Sequence, residues 1–360
     1  MIQTDILIVG GGPAGATLAK ELANAGVQNL LLQRNFDFKK PCGGGIRLDA
    51  FKEFAIDTAL IQKSVTSVAL VYRDKCVEVD ITETPIAIVD RVAFDSSLRV
   101  AARSAGSELL EGSFVSFIKD GDFFISKVLL VNEYIYIKSR HIVAADGVNS
   151  KLRRVVNGDS VPSLLTSYTD ITQSSYEMCE FHFGQDVAKE YYAWAFPHAG
   201  GSNIGTVADE KECLLRLKQN LNITEKTKDL GYKIPNYTYG LFYKDGVYFV
   251  GDSAAQVLPF TYEGIYYAMS SARILASVLI ENAPPQEYET RWSAKHKKRF
   301  NTLLRLQKIF LRNDFMISMM MRLYKNRHVQ KQMLRLWLGK RELELSGAFF
   351  LKVFLHLVRK

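Results

Sequence analysis

The sequence contains few cysteines, and they are not grouped as a metal site or a disulfide framework would require. Its 360 residues include four, far apart, with no C-x-x-C pair and no histidine at metal-ligand spacing: Cys42, Cys76, Cys179 and Cys213. Zinc sites and secreted disulfide-rich domains use denser cysteine patterns. We therefore expect no metal site and a reducing compartment.

Long apolar runs are also absent. No apolar segment approaches the roughly 18 residues that a membrane-spanning helix requires. The first residues lead directly into an apolar strand, without the basic region and small-residue cleavage site of a signal peptide. These absences favour a cytoplasmic protein, either free or attached to the surface of a membrane.

The N-terminal segment combines an apolar strand, a glycine turn and the start of a helix. The strand Ile6 to Val9 leads into a G-x-G-x-x-G match formed by Gly10, Gly12 and Gly15. The first glycine allows the tight turn, the second lets the backbone approach a pyrophosphate, and the third lets the helix pack closely on the strand. A glycine-rich turn in any α/β protein is the simpler interpretation, but the flanking strand and helix favour a dinucleotide at the helix N-terminus.

The position that normally binds the ribose of the nucleotide has an uncharged residue. The second apolar strand, Asn29 to Leu32, is followed by Gln33 and Arg34, where a dinucleotide-binding unit usually has Asp or Glu. The amide oxygen of Gln33 can accept a hydroxyl proton but has no full charge, so we expect a weaker ribose contact. Arg34 supports a second hypothesis, because an arginine here can receive the 2′-phosphate of NADP.

Two further stretches place a thiol and a charged side chain near this unit. Residues 40–46, Lys-Pro-Cys-Gly-Gly-Gly-Ile, contain three consecutive glycines, which bring backbone against a flat group, with Cys42 at their entrance. Cys42 is either a small packing residue or a functional thiol. Arg91 follows Asp90 at the start of a predicted helix that runs to Ala105, and it is either a solvated side chain or a phosphate contact.

Two later strands end in a corner of glycine and aspartate. These corners are Asp146-Gly147 in mid-chain and Gly251-Asp252 near residue 250. Asp252 suits a sugar-alcohol hydroxyl, and the amides of Gly264 and Ile265 begin a helix whose positive end suits a partly anionic ring. NADP as the main ligand accounts for neither corner.

Together these motifs resemble the FAD-binding set of the two-domain flavoproteins that include p-hydroxybenzoate hydroxylase. Within that class, Pro41 to Gly45 and the later Tyr-Ala-Trp-Ala-Phe-Pro of residues 192–197 resemble the geranylgeranyl reductase family. These enzymes saturate isoprenoid chains of lipids, including archaeal digeranylgeranylglyceryl phospholipids, and of chlorophyll or quinone precursors. The resemblance covers roughly residues 1–285, and it departs from the family at Lys189, where the family has proline, and at Gln33.

The resemblance implies a set of FAD contacts and a position for the thiol. Carried over by position, the contacts are Ala14, Gln33, Cys42, Gly43, Gly45, Arg91, the backbone of Val115, Asp252, Gly264 and Ile265. The glycine fingerprint adds Gly10, Gly12 and Gly15. Cys42 would then lie beside the isoalloxazine ring. It is either a functional thiol there or a small packing residue.

A chain of this length exceeds one hydrophobic core, so two domains, or one domain with a large insertion, are expected. The predicted fold class is α/β with an α+β second domain. A Rossmann-type FAD-binding domain takes residues 1–60, 85–160 and 240–285, an interleaved antiparallel-sheet substrate domain takes residues 61–84 and 161–239, and a basic helical region takes residues 286–360. In the first domain we predict strands over Glu108 to Lys119, Phe123 to Val131, Tyr134 to Lys138, His141 to Ala145 and Val247 to Val250.

The substrate domain has a stripe of aromatic residues. Its predicted strands are Ser67 to Val71, Cys76 to Ile81, Glu177 to Phe183 and Tyr191 to Phe196. Alternation places Tyr192, Trp194 and Phe196 on one side, as in an ordinary core face or as in the hydrophobic groove of the family. A prenyl chain needs such a groove, since each buried methylene contributes about 0.8 kcal/mol. We favour the groove, with Tyr192, Trp194, Phe196 and Pro197 as substrate contacts.

The substrate class determines what the catalytic residues must do. An isolated trisubstituted alkene is not electron-poor, so a hydride from reduced flavin adds only if a proton arrives with it or before it. Cys42, Tyr192, His198 and a bound water are candidate proton donors, and we assign Cys42, Tyr192 and Trp194 to the catalytic site. No second glycine fingerprint follows, so the electron donor is a transiently bound nicotinamide, a ferredoxin-like carrier or a quinol. Alternative functions are a monooxygenase of the same fold and a non-catalytic lipid-binding protein.

Acidic residues are scarce in the last part of the chain. Residues 291–360 contain 18 Lys and Arg against 3 Asp and Glu, whereas the preceding residues contain 28 against 35. The accompanying apolar residues recur at helical spacing: Leu303, Leu306, Phe310, Met316, Met319, Met320 and Leu323, then Phe349, Phe350, Val353, Phe354 and Leu357. This pattern suits a helical cap or a surface for anionic lipid. We favour peripheral contact with an anionic membrane, and we expect no nucleic acid because no recognised binding fold is present.

Overall fold

The computed structural model describes residues 1–172, 176–207 and 211–340. Within them the strands are β1 (Ile2–Val9), β2 (Asn29–Gln33), β3 (Gly45–Arg47), β4 (Ile61–Val65), β5 (Ser67–Tyr72), β6 (Lys75–Asp80), β7 (Ile86–Val89), β8 (Glu108–Glu111), β9 (Ser113–Asp120), β10 (Phe123–Leu129), β11 (Tyr134–Ala144), β12 (Ser163–Ile171), β13 (Cys179–Phe183), β14 (Ala193–His198), β15 (Gly201–Thr206), β16 (Leu230–Pro235), β17 (Tyr243–Lys244) and β18 (Val247–Phe249). The α-helices are α1 (Pro13–Asn24), α2 (Asp49–Glu53), α3 (Arg91–Ser104), α4 (Lys151–Asn157), α5 (Lys211–Asn220), α6 (Ile265–Ile280), α7 (Gln286–Trp292), α8 (Lys298–Phe310), α9 (Asp314–Tyr324) and α10 (Arg327–Leu338).

The first strand lies inside an eight-stranded sheet, where β1 runs parallel to β11 on one side and to β2 on the other. Ile6 and Ile8 belong to the core that includes residues of α1 and α6, whereas Leu7 and Val9 pack with the hairpin β9–β10. Both faces of β1 are therefore covered, which explains the continuous apolar run in its sequence. Since β18 is parallel to β11, the turns that follow β1, β11 and β18 lie at one edge of the sheet.

Three strand predictions in this sheet were wrong in their boundaries. The segments Tyr134 to Lys138 and His141 to Ala145 form the single strand β11, because Ser139 between them is fully buried and pairs with β1. The segment Glu108 to Lys119 is instead divided at Gly112, whose N–H donates to the last carbonyl of β2 at 2.9 Å. Hydrophobic alternation along the sequence predicts neither a buried polar residue inside a strand nor a break between two strands at a glycine.

A second sheet has seven strands in the order β16-β12-β15-β14-β13-β5-β6, antiparallel except for the parallel pair β13 and β5. It includes the four strands predicted for the substrate domain. Sequence reasoning missed β12, β15 and β16, in part because Gly201–Thr206 has little apolar alternation. A small sheet of β3, β7 and β4 joins the cysteine-containing loop to the start of α3. The predicted fold class is confirmed, and the domain boundaries stay a prediction.

The C-terminal region is helical as far as the structure describes it. Leu303, Leu306, Phe310, Met320 and Leu323 are buried in the main core, so the apolar face of α8 and α9 packs on the rest of the protein. Met316 and Met319 are half-buried. The predicted face of the final helix, Phe349, Phe350, Val353, Phe354 and Leu357, lies outside the described residues. Among the residues that are described, no helix has the length and apolar character to cross a bilayer.

Candidate functional site

A cavity of about 770 Å³ extends from the carboxyl end of β1 to the face of the seven-stranded sheet and to α10. This volume lies within the range of about 300–1,000 Å³ that is usual for small-molecule and cofactor sites. The cavity has two chemically different parts. Near β1 its lining is rich in glycine and basic residues, whereas near the second sheet it consists mostly of aliphatic and aromatic side chains.

The glycine turn has the geometry that a dinucleotide requires. Gly10 has φ +111°, and a β-carbon there would lie 2.2 Å from the carbonyl oxygen of Ala145. A β-carbon at Gly15 would lie 1.9 Å from the oxygen of Gly10, so the helix packs on the turn as the motif predicts. Gly12, by contrast, has open space around it, and no side chain caps the first N–H groups of α1. The helix N-terminus is thus free to receive a pyrophosphate.

Gln33 is held by the glycine turn. Its Oε1 accepts a hydrogen bond from the N–H of Gly11 at 2.7 Å, and its Nε2 donates to the carbonyl of Asn35 at 2.8 Å. The amide oxygen therefore faces the cavity edge with one of its two acceptor positions already used. Arg99, which sequence reasoning did not single out, supports the same turn by donating to the carbonyl of Gly11 at 3.2 Å.

Asp146 has one carboxylate oxygen in use and one without a partner. Its Oδ2 accepts from the N–H groups of Lys151 and Leu152 at 2.8 and 3.2 Å, which anchors the start of α4. Its Oδ1 is buried and has no hydrogen-bond partner among the described residues. Burial raises the pKa of this carboxyl, although hydrogen bonds from Ser150 and the backbone oppose the shift. An unpartnered acceptor at the cavity wall is what a hydroxyl-bearing ligand would satisfy.

Asp252 already has a partner in this structure, because its Oδ2 forms an ion pair with Nζ of Lys40. Burial opposes the charge of Lys40, but the attraction of Asp252 outweighs it, so the pKa of Lys40 is raised. Sequence reasoning assigned Asp252 to a sugar-alcohol hydroxyl and gave Lys40 no role. The lysine belongs to the same loop as Cys42, so the ion pair ties that loop to the corner after β18.

Two glycines of the cysteine-containing loop are required because neighbouring atoms leave no room for a side chain. A β-carbon at Gly43 would lie 2.5 Å from Cδ2 of Phe196, and one at Gly44, where φ is +72°, would lie 2.5 Å from the carbonyl oxygen of Val89. Cys42 is exposed and lines the cavity, and its Sγ accepts from the N–H of Gly44 at 3.4 Å. The sequence predicted that these glycines bring the backbone against a flat group. At Gly43 that group is the ring of Phe196.

Arg91 is a buried residue of the cavity wall. Its guanidinium pairs with Asp95 one turn later in α3 at 2.9 Å, and only 4% of its side chain is exposed. The solvated alternative is therefore wrong for Arg91. Its charge interacts with both Asp95 and the thiol of Cys42.

The predicted aromatic stripe forms one wall of the cavity. Tyr192, Trp194 and Phe196 all line it. Phe181 of β13 fills the space between them, with its ring centroid 5.2 Å from those of both Tyr192 and Phe196. The Tyr192 hydroxyl donates to the carbonyl of Thr261 at 2.7 Å, and burial raises its pKa. The three alternating aromatic side chains therefore form a cavity wall. Their contact with a substrate stays a prediction.

Four other predicted residues do not line the cavity. Gly15 acts through packing, and Pro197 is buried in the pairing of β14 with β15. Val115 lies outside the lining, whereas its neighbours Ser113 and Phe114 belong to it. The ring of His198 lies 3.0 Å from the carbonyl of Ala199, away from the cavity, so it is poorly placed as a proton donor. All the other predicted site residues line the cavity: Gly10, Gly12, Ala14, Gln33, Cys42, Gly43, Gly45, Arg91, Asp252, Gly264, Ile265, Tyr192, Trp194 and Phe196.

The departure at Lys189 has a backbone explanation. Lys189 has φ +51°, in the left-handed region. The ring of proline fixes φ near −65° and cannot adopt this conformation. In this chain the loop before β14 therefore takes a conformation that excludes the proline found in the family, while the aromatic residues that follow still reach the cavity.

Sequence reasoning missed a group of side chains at the other end of the cavity. Glu263 lines it together with Arg47 of β3 and Trp337 of α10. Trp337 Nε1 donates to Oε2 of Glu263 at 3.0 Å. Burial raises the pKa of Glu263 to about 7, although the charge of Arg47 and the hydrogen bond from Trp337 oppose the shift. In the sequence, Glu263 looked like part of a helix start, and α10 looked like part of a basic cap.

Comparison with known families and proteins gives a consistent picture. Residues 3–168 match the family described as FAD binding domain. The geranylgeranyl diphosphate reductase of Rhodobacter capsulatus is 31% identical over 294 residues, which cover 76% of this chain and 74% of that protein. The digeranylgeranylglycerophospholipid reductase of Methanocaldococcus jannaschii is 26% identical over 336 residues, which cover 85% of this chain and 86% of that protein.

A solved structure agrees in fold. A geranylgeranyl bacteriochlorophyll reductase-like protein from Thermoplasma acidophilum superimposes with a TM-score of 0.80 at 20% sequence identity, covering 93% of this chain and 96% of the other. The p-nitrophenol 4-monooxygenase of Pseudomonas putida reaches a TM-score of 0.75 at 14% identity. At these sequence identities the structural similarity establishes a shared fold. It does not identify the reaction, for which the relatives of higher sequence identity are the evidence.

Proposed function

Since the chain belongs to the geranylgeranyl reductase family, FAD-dependent oxidoreductases that reduce C=C bonds of isoprenoid chains, we propose that it hydrogenates the geranylgeranyl chains of a membrane lipid or its precursor. Relatives of two kinds support this choice, one acting on geranylgeranyl diphosphate and the other on digeranylgeranylglycerophospholipid. We propose the archaeal-type digeranylgeranylglyceryl lipid as the substrate class, because its two chains offer more apolar surface to the cavity than the single chain of geranylgeranyl diphosphate.

The observation that carries the proposal is the continuity of the cavity. Its glycine-rich part and its apolar part form one space, so a cofactor on β1 and an aliphatic chain along the second sheet would meet inside it. Apolar contact alone binds such a chain, at about 0.8 kcal/mol for each buried methylene. Aliphatic residues of the neighbouring strands β5 and β6, and Ile81 just after β6, continue the aromatic wall along the same sheet: Val68, Leu70, Val79 and Ile81.

FAD is the cofactor, and the residues of the cavity suit it. The uncapped N–H groups of α1 and the open space at Gly12 suit the pyrophosphate, while Asp252 and Lys40 offer an acceptor and a donor for the sugar-alcohol chain. The N-terminus of α6 at Gly264 and Ile265 would stabilise negative charge on the ring. When bound and reduced, FAD supplies a hydride to the alkene. The protein must hold the alkene in place, exclude water and provide a proton.

We further propose peripheral attachment to an anionic membrane through the basic C-terminal region. The support is the concentration of 18 Lys and Arg in residues 291–360, together with the solubility of the proposed substrate in lipid. The apolar face of α8 and α9 is used in the core, so the basic side chains, rather than that face, would make the contact. The electron donor is proposed to be a nicotinamide, a ferredoxin-like carrier or a quinol.

The test is product analysis with reduced protein. Protein reduced with dithionite under anaerobic conditions is incubated separately with digeranylgeranylglyceryl phospholipid and with geranylgeranyl diphosphate. We expect mass gains of two hydrogens for each double bond reduced, with faster turnover of the lipid. No gain with any prenyl substrate would eliminate the proposal. Oxygen consumption that depends on substrate, measured with an oxygen electrode, would instead identify a monooxygenase.

A further inference from the structure

Glu263 is one of two acidic residues lining the cavity that keep a buried carboxylate oxygen without a hydrogen-bond partner among the described residues, and the other is Asp146 at the corner after β11. Asp95 and Asp252 each form an ion pair with a basic residue that also lines the cavity. Glu263 accepts one hydrogen bond, from Trp337, and its Oε1 is buried without a hydrogen-bond partner among the described residues. An ionised carboxylate with an unpartnered buried oxygen is costly, so this site favours the protonated acid.

The chain neighbours of Glu263 belong to two different surfaces of the cavity. It follows Tyr262, whose ring centroid lies 6.1 Å from that of Tyr192 in the aromatic wall. It precedes Gly264 and Ile265, the start of α6, which also line the cavity. Glu263 therefore lines the same cavity as the wall proposed for the prenyl chain and the helix start proposed for the flavin ring.

The charges around Glu263 do not neutralise it fully. Five groups from five elements face it or interact with it: Arg47 of β3, Asp49 of α2, Tyr267 of α6, Arg299 of α8 and Trp337 of α10. Arg47, the most important cation, is held by a bidentate pair with Asp49, with both distances at 2.5 Å. Arg299 is likewise engaged, since it donates to the Tyr267 hydroxyl at 2.9 Å. Burial therefore dominates, and the raised pKa of Glu263, about 7, allows proton gain and loss near neutral pH.

The other candidate donors are less suited to release a proton into the cavity. The Tyr192 hydroxyl already donates to the carbonyl of Thr261, and burial raises its pKa. His198 does not line the cavity. Cys42 lines it, but its sulfur accepts a hydrogen bond from the N–H of Gly44 at 3.4 Å, and it belongs to a loop that packs against Phe196.

We propose that Glu263 is the proton donor of the alkene reduction, an inference that rests on the proposed function. The π bond breaks, and one of its carbons forms a C–H bond with the hydride from reduced FAD, which is oxidised by two electrons. The other carbon forms a C–H bond with the proton of the Glu263 carboxyl. The remaining carboxylate regains a proton from solvent, so each turnover adds two hydrogens to the alkene and consumes one reduced FAD and one solvent proton.

The experiment compares Glu263→Gln with the matched control Glu133→Gln, which changes an exposed glutamate in the loop after β10. FAD content and the visible spectrum report whether the site stays intact. Single-turnover reduction of a geranylgeranyl substrate by pre-reduced protein is followed from pH 5 to pH 9. We expect Glu263→Gln to slow the reaction by about 100-fold or more, the usual effect of losing a general acid, and to abolish the decline of the wild-type rate above about pH 7. Glu263→Asp should recover part of the rate.

A second readout does not depend on substrate. The protein is labelled with [5-¹³C]glutamate, and the carboxyl signal that disappears in Glu263→Gln is titrated by NMR. We expect a midpoint near neutral pH. A midpoint near that of an ordinary glutamate, or a Glu263→Gln rate within about threefold of wild type with the same pH dependence, overturns the inference. If the wild-type protein reduces no prenyl substrate, the proposed function fails instead, and the NMR midpoint still decides whether Glu263 holds a proton near neutral pH.

Discussion

Gly43 lies directly against the ring of Phe196, so that a β-carbon at this glycine would be 2.5 Å from Cδ2 of the ring. The contact joins two motifs that are distant in the sequence, the glycines that follow Cys42 and the aromatic residues of β14. It also brings the loop that contains Cys42 against the aromatic wall, since the loop can reach Phe196 only if it has no side chain at this position.

Gly43→Ala tests this contact. The added methyl group overlaps the ring, so either the loop or Phe196 must move, and overpacking of this kind costs about 1–3 kcal/mol. We expect the free energy of unfolding, measured by urea titration, to fall by that amount and prenyl turnover to fall with it. The double variant Gly43→Ala/Phe196→Leu should recover part of the lost stability.

Gly231→Ala is the matched control for this substitution. A β-carbon at Gly231 in β16 would have its nearest atom 3.5 Å away, which is an ordinary contact. Its free energy of unfolding should therefore change little. Equal losses for the two alanine variants would mean that Gly43 is needed for backbone reasons other than the contact with Phe196.

Much of the fold could be predicted because its strongest signals are local. The run from Ile6 to Gly15 identifies a strand, a turn and a helix within a few residues, and the structure has all three. The corner after β18 was found in the same way. Strands such as β15 were missed, because Gly201–Thr206 is buried by neighbouring strands and not by its own apolar residues. Its place in the sheet depends on pairing with β12 and β14, which no local pattern reveals.

The site could be predicted only where a motif marked it. Cys42 and Tyr192 carry family signatures, and both line the cavity. Glu263 and Trp337 belong to different parts of the chain, and only the docking of α10 brings their side chains within hydrogen-bonding distance. The pairing of Lys40 with Asp252 is also a tertiary contact between two ordinary charged residues. Neither contact leaves a periodic trace in the sequence.

Cys42→Ala tests the thiol. The side chain is small and exposed to the cavity, so its loss should leave the fold and the FAD content unchanged. We expect slower alkene reduction in single-turnover assays, because the sulfur interacts with the buried charge of Arg91 beside the aromatic wall. Cys76→Ala, which removes an exposed thiol away from the cavity, is the control. Unchanged turnover in Cys42→Ala would make the residue a packing group.

Gln33→Glu tests the nucleotide end of the cavity. A carboxylate at this position would accept from Gly11 N–H, as the amide does at 2.7 Å, and would add a charged acceptor for the ribose hydroxyls. We expect FAD to bind more tightly by about 1 kcal/mol, or roughly fivefold in the dissociation constant. Isothermal titration of the apoprotein with FAD measures the change. Gln33→Leu should weaken binding, and tighter binding by that variant would contradict the assigned contact.

The raised pKa of Glu263 also predicts how stability depends on pH. Burial raises this pKa from the ordinary 4.5 to about 7, so between these values the folded protein keeps a proton that the unfolded chain has lost. Stability must then fall as pH rises through this window, because the folded state binds more protons. We expect a contribution on the order of 3 kcal/mol across the window, obtained as the difference between wild type and Glu263→Gln in urea unfolding at several pH values. Subtracting the variant removes the similar contribution of Asp146, whose pKa burial also raises. Parallel pH profiles for the two proteins would show that Glu263 titrates normally, and the carboxyl would then be ionised, and unable to donate a proton, at neutral pH.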